Sequence, residues 1–121
     1  RILRGSSLKA PVNFLENRFR FQADVLKGQK TGFFLDQRDN RQQIRKISKG
    51  LSVLNVFSYT GGFSIYAISG GCRKIVEIDS NGLALKSSLQ NKKLNFEKVR
   101  ATNMKVLKHL LNYLPIEILM K

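Results

Sequence analysis

Val53-Leu54-Asn55-Val56-Phe57-Ser58-Tyr59-Thr60-Gly61-Gly62-Phe63-Ser64 passes from an apolar run into a glycine turn and out again into apolar sequence. Leu51 to Phe57 is a short run of the kind that forms a buried strand. Phe63-Ser64-Ile65-Tyr66-Ala67-Ile68 then reads as a buried helix, with a strand as the alternative. After Gly70-Gly71, Arg73 to Asp79 reads as a second strand. Ser80 is placed to cap a helix on which Leu85, Leu89 and Phe96 share a stripe. Strand, helix, strand, helix is the order of a parallel α/β sheet. Beyond it, Val99 marks a third strand, Lys105 to Tyr113 a third helix, and Ile116 to Met120 the opening of a fourth strand after Pro115.

Upstream of this core, Val12 to Val25 alternates apolar and polar residues about Glu16-Asn17-Arg18, which predicts a β-hairpin. Lys27 to Leu35 reads as a loop flanked by Gly28 and Gly32. Asp36 is placed to cap a helix that runs to about Lys49 and ends at Gly50. On that helix Gln37, Asn40, Ile44, Ile47 and Leu51 recur at steps of three and four, which predicts that they face inward. The neighbouring face carries Arg38, Arg41, Arg45 and Lys49 as a basic stripe.

Composition narrows the class. The 121 residues fit one small domain, 42% hydrophobic and 25% charged, with no low-complexity tract and no apolar run long enough to span a bilayer. A single cysteine, Cys72, excludes an internal disulfide and cysteine-rich metal sites, and it agrees with a cytoplasmic location. The 22 Lys and Arg against 8 Asp and Glu give a net charge of +14, spread along the chain rather than gathered in a tail. Such a surface favours a polyanionic partner, of which nucleic acid is the first candidate.

In open α/β sheets ligands bind beyond the carboxyl ends of the strands, and the first such edge is Phe57 to Gly62. Its glycines permit close backbone approach, and the helix that follows offers free amides to an anion. Asp79 ends the second strand 18 residues after Gly61, where a carboxylate can accept hydrogen bonds from both hydroxyls of a ribose. Together these suggest a nucleoside-bearing cofactor; the alternative is a plain strand-helix turn and an Asp helix cap. Gly61-Gly62 does not supply the glycine pattern of dinucleotide-binding folds, and Gly28-Gln29-Lys30-Thr31 lacks the glycine a P-loop needs before its lysine.

Two segments carry a resemblance. Gly28-Gln29-Lys30-Thr31-Gly32-Phe33-Phe34-Leu35-Asp36-Gln37-Arg38-Asp39-Asn40-Arg41 and Val53 to Ser64 together resemble the bacterial 23S ribosomal RNA cytosine-5 methyltransferases, over about Phe14 to Asn95. The resemblance implies a Rossmann-like class I fold that binds S-adenosyl-L-methionine and acts on RNA. It implies that Phe57, Tyr59, Thr60 and Gly61 form the cofactor loop, with Asp79 on the ribose and Ser80 beside it. Gln37 and Arg38 would join the cofactor site. Lys30, Thr31, Asp36, Asn40 and Arg41 would close over the methionine end and the RNA side.

The chain departs from the family pattern at Arg100-Ala101-Thr102-Asn103-Met104-Lys105, where relatives carry an acidic residue and this chain has none. In cytosine-5 transfer a cysteine thiolate attacks C6 of the base; that nucleophile and the Asp-Pro-Pro-type segment are expected beyond Lys121, so no catalytic residue is assigned here. Cys72 precedes the second strand and reads as a packing residue, and His109 as a solvent-facing one. Phe19, Phe21, Phe33 and Phe34 read as core more readily than as base-stacking platforms.

The expected architecture is therefore α/β: a β-hairpin and connecting helix over residues 1–49, then the first half of a Rossmann-like sheet over 50–121. An open strand edge is available for association. Two other readings share these features. One is methylation of guanine at its exocyclic nitrogen, which needs no cysteine. The other is a non-catalytic RNA-binding remnant of a split gene.

Overall fold

The computed structural model describes residues 4–7, 11–29 and 31–96. The expected strand at Val99, helix from Lys105 to Tyr113 and strand from Ile116 to Met120 lie outside the described residues, as do Lys30, His109 and the segment Arg100 to Lys105. Strands β1 (Val12–Glu16) and β2 (Phe19–Ala23) form an antiparallel hairpin, in register from Val12 opposite Ala23 to Glu16 opposite Phe19. Both turn residues, Asn17 and Arg18, have positive φ (48° and 71°), the twist that a two-residue hairpin turn requires. A 3-10 turn at Leu35–Gln37 leads into α1 (Arg38–Ile47). Then come β3 (Ser52–Val56), α2 (Gly62–Ser69), β4 (Lys74–Ile78) and α3 (Gly82–Asn95). β3 and β4 are parallel, Ser52 opposite Lys74 through Val56 opposite Ile78, so α2 is the crossover between them. None of the described helices is long and apolar enough to cross a membrane.

The core joins the hairpin to α2. Phe21, Ala23, Phe33, Ile65 and Tyr66 are buried together, with Phe14, Phe19 and Phe96 packed against them. Ring centroids of Phe21 and Phe33 lie 4.8 Å apart, and those of Phe19 and Tyr66 also 4.8 Å, within the range where aromatic pairs add to area burial. Phe19, Phe21 and Phe33 are thus core residues.

Three local expectations are corrected. Asp36 does not cap α1: it lies within the 3-10 turn and accepts from Gln37 Nε2 at 3.2 Å, while Gln37 holds the N-cap position without a side-chain cap. Ser80 does not cap α3 either; Asn81 Oδ1 accepts from the amides of Leu83 and Ala84 at 3.0 and 3.2 Å. The faces of α1 are the larger correction. Asn40, Ile47 and Leu51 are exposed, and Arg41, from the predicted basic stripe, is 2% exposed. Its guanidinium takes both oxygens of Glu16, at 2.8 and 2.7 Å, donates to the Phe34 carbonyl at 3.0 Å, and lies 4.5 Å from the Phe33 ring centroid. A buried charge needs such a partner, and Glu16 sits 25 residues away, outside the reach of helical periodicity.

α3 docks on the hairpin through side-chain amides. Asn95 Oδ1 accepts from the Arg20 amide at 2.8 Å and Asn95 Nδ2 donates to the Arg20 carbonyl at 2.7 Å. One turn earlier, Asn91 Oδ1 accepts from the Gln22 amide at 2.8 Å. These are the backbone groups that β2 turns away from β1, so two asparagines stand where a third strand would pair.

Candidate functional site

The carboxyl ends of β3 and β4 open onto one turn, Phe57 to Gly61. Phe57 (φ 57°), Tyr59 (φ 48°) and Gly61 (φ 80°) all lie in the left-handed region. Only glycine adopts it freely, and each of the other two costs on the order of 1 kcal/mol or more, a strain that collects where a chain is shaped for a ligand. Gly61 is required for a second reason: a Cβ there would collide with Ser88 Oγ and lie 2.8 Å from Ser88 Cβ. Gly61 is also the N-cap of α2 and has no side chain to occupy the helix's first amides.

Asp79 closes the turn. Its Oδ2 accepts from the Tyr59 amide at 2.9 Å and its Oδ1 from the Asn81 amide at 2.8 Å. The glycine turn and the carboxylate expected to meet there are thus in direct contact, and the carboxylate keeps lone pairs for further donors. Tyr59 extends the site outward. Its hydroxyl accepts from the Gln29 amide at 3.0 Å and its ring meets Phe34 at 5.3 Å, which pins the Gly28-Gln29 loop over the turn. A cleft of about 450 Å³ lies between them, lined among others by Asp24, Gly28, Tyr59, Thr60, Asn81 and Lys86.

Beneath the turn lies a polar layer absent from the sequence-based reading. Glu77 and Lys92 form a buried ion pair at 2.6 Å, and Ser88 Oγ bonds both Glu77 oxygens at 2.8 and 2.9 Å. Burial pulls the Lys92 amine down from its ordinary pKa, against the upward pull of Glu77. Asn91 Nδ2 donates to the Thr60 carbonyl at 3.0 Å, so the same side chain that holds Gln22 also holds the turn. Their signal was available: Ser88, Asn91, Lys92 and Asn95 fall at helical steps from Leu85, on its inward face. Ser58 Oγ, buried in the turn, has no hydrogen-bond partner among the described residues.

Not all expected residues converge. Phe57, Tyr59, Thr60, Gly61 and Asp79 do, with Ser80 exposed beside them. Thr31 Oγ1 donates to the Phe33 carbonyl and shapes its own loop. Asn40 donates to Gln37, and Gln37 to Asp36, in a surface chain of their own. Arg38 reaches the hairpin, donating to Asn17 Oδ1 at 3.1 Å. Arg41 is buried under Gly62 and held by Glu16. Cys72 lies at the amino end of β4, opposite Asp79, with its thiol pushed up by burial.

The sequence profile of the S-adenosylmethionine-dependent methyltransferases matches residues 2–112. The chain is 42% identical over 112 residues to the ribosomal RNA large subunit methyltransferase I of Pseudoalteromonas translucida, covering 90% of this chain and 28% of that protein. It is 50% identical over 86 residues to the ribosomal RNA large subunit methyltransferase of Deinococcus radiodurans, covering 71% and 21%. A solved structure from Streptococcus mutans, described as a SAM-dependent methyltransferase, superposes with a TM-score of 0.80 at 30% identity, over 92% of this chain and 30% of that one. The chain thus spans about a quarter of the length of each of these two relatives.

Proposed function

Because this chain belongs to the S-adenosylmethionine-dependent methyltransferase family, we propose that its Phe57–Gly61 turn and Asp79 hold S-adenosyl-L-methionine for methyl transfer to large-subunit ribosomal RNA. The observation that carries the reading is the Asp79 carboxylate seated against the Tyr59 amide at the mouth of the glycine turn. The residues fit the cofactor's two polar ends. A ribose diol needs a carboxylate acceptor, which Asp79 supplies with lone pairs left over. An amino-acid carboxylate needs amide hydrogens, which the uncapped start of α2 supplies.

When bound, the cofactor supplies an electrophilic methyl group on a sulfonium. The chain's own residues bind and orient it. Asp79 serves the ribose, the strained turn brings backbone close, and Tyr59 holds the Gln29 loop beside the site. The Glu77-Ser88-Lys92 layer holds the turn rigid from below, which limits the freedom lost on binding. The fuller resemblance extends the proposal to 23S RNA and to cytosine C5, chemistry that would need a thiolate nucleophile; Cys72, the single cysteine of this sequence, lies at the opposite end of the strand from Asp79 and is not proposed for that role.

Calorimetry with S-adenosylhomocysteine tests the site: Asp79→Ala is expected to weaken binding about a hundredfold, the loss of charge-assisted hydrogen bonds. Undiminished binding by that variant would remove the assignment. For the base, RNA tritiated at cytosine C5 should release its label to water in step with methylation; methylation without release excludes C5.

A further inference from the structure

Around the hairpin tip stand three arginines that form no ion pair among the described residues, with Asp36 and Asp39 the acidic groups of the adjoining turn. Arg18 occupies the turn itself. Arg38 is held by Asn17 Oδ1, and the Arg45 guanidinium lies 5.5 Å from the Phe19 ring centroid. Between these two on α1, Arg41 turns inward and takes the carboxylate of Glu16. Both ion pairs among the described residues, this one and Lys92–Glu77, are buried, so neither neutralises the surface. Asp39 follows Arg38 in the chain and forms no ion pair among the described residues.

We propose that Arg18, Arg38 and Arg45 form a docking surface for the phosphate backbone of RNA, an extension of the reading of RNA as substrate. Arg38 and Arg45 stand seven residues apart on one helix, roughly 10 Å along its axis, so they address different phosphates. Each presents a planar fork of donors that matches phosphate oxygens, and a bond to Asn17 leaves most of the Arg38 donors open. The anchoring of Arg38 on the turn and of Arg45 on Phe19 orders these side chains before binding, which lowers the entropy lost on contact. Behind them the Phe19–Tyr66 contact fixes the hairpin to α2.

The test measures affinity of the full protein for a stem-loop of large-subunit ribosomal RNA across a salt series. The variants are Arg18→Gln/Arg38→Gln/Arg45→Gln and the corresponding triple lysine substitution. The glutamine triple is expected to flatten the log K against log salt slope by about two and to weaken binding about a hundredfold at about 0.1 M salt. The lysine triple should keep the slope. If the glutamine triple fails to fold, Arg18→Gln alone, at an exposed turn, should lower the slope by about 0.7. An unchanged slope overturns the proposal. So does polyaspartate bound as tightly as the RNA and lost on the same substitutions, which would indicate an acidic protein partner. S-adenosylhomocysteine titration separates the two readings: its failure in the unmodified protein, with RNA binding still dependent on the arginines, would sink the cofactor site proposed at the Phe57–Gly61 turn and leave this surface standing.

Discussion

At Gly61 the backbone is left-handed and a β-carbon has no room beside Ser88, so two independent constraints demand the same residue. Gly61→Ala is expected to cost about 2–4 kcal/mol, strain and overpacking together, and to weaken cofactor binding with it. Urea melts and S-adenosylhomocysteine titration of that variant check both; a variant as stable as the parent would mean the turn adapts. Residues that make close backbone turns were legible in the sequence because glycine and a strand-ending carboxylate announce themselves. Arg41 and Asn40 were not, since which of two polar neighbours goes inward depended on Glu16, a partner distant in the chain.

Among the elements, α3 does more than its apolar stripe of Leu85, Leu89 and Phe96 suggests. Its inward face is largely polar, and each polar group there is matched: Ser88 and Lys92 to Glu77 of β4, Asn91 and Asn95 to β2. The order of strands and helices was readable from apolar runs and the glycines between them, but not which face of α1 is buried. The pairing of polar groups across elements has no period and so left no readable trace. Removing one partner strands the other: Glu77→Leu or Lys92→Met alone should cost about 3–5 kcal/mol, while the double replacement should recover most of the loss. Equal losses in the single and double variants, measured by denaturant unfolding, would refute coupling.

For the molecule as a whole, the hairpin, α1 and α2 meet at Tyr66, whose hydroxyl donates to Glu16 Oε1 at 2.8 Å and accepts from Asn17 Nδ2 at 3.0 Å. Burial, with the Glu16 bond adding to it, pushes the phenol up to about 12 from 10.0. A raised pKa means that the folded state keeps its proton where the unfolded chain has lost it. Stability from this group is therefore complete below pH 10 and declines as pH rises towards about 12. Unfolding midpoints across that window should fall in the parent, and Tyr66→Phe should remove this part of the fall; an identical decline in both would contradict it. The α/β order and hairpin were legible at this scale. The way the hairpin closes onto the sheet was not, since it runs through a shared aromatic cluster and side-chain amides whose partners lie far apart in the chain.

The asparagine clasp sets a limit on length. Asn91 and Asn95 meet alternate residues of β2 because one helical turn, roughly 6 Å of rise over four residues, nearly matches the two-residue repeat of a strand. Adding or deleting a single residue between them would swing one amide about 100° around the helix and out of reach. This stretch of α3 therefore tolerates exchange of letters but not a change in their number.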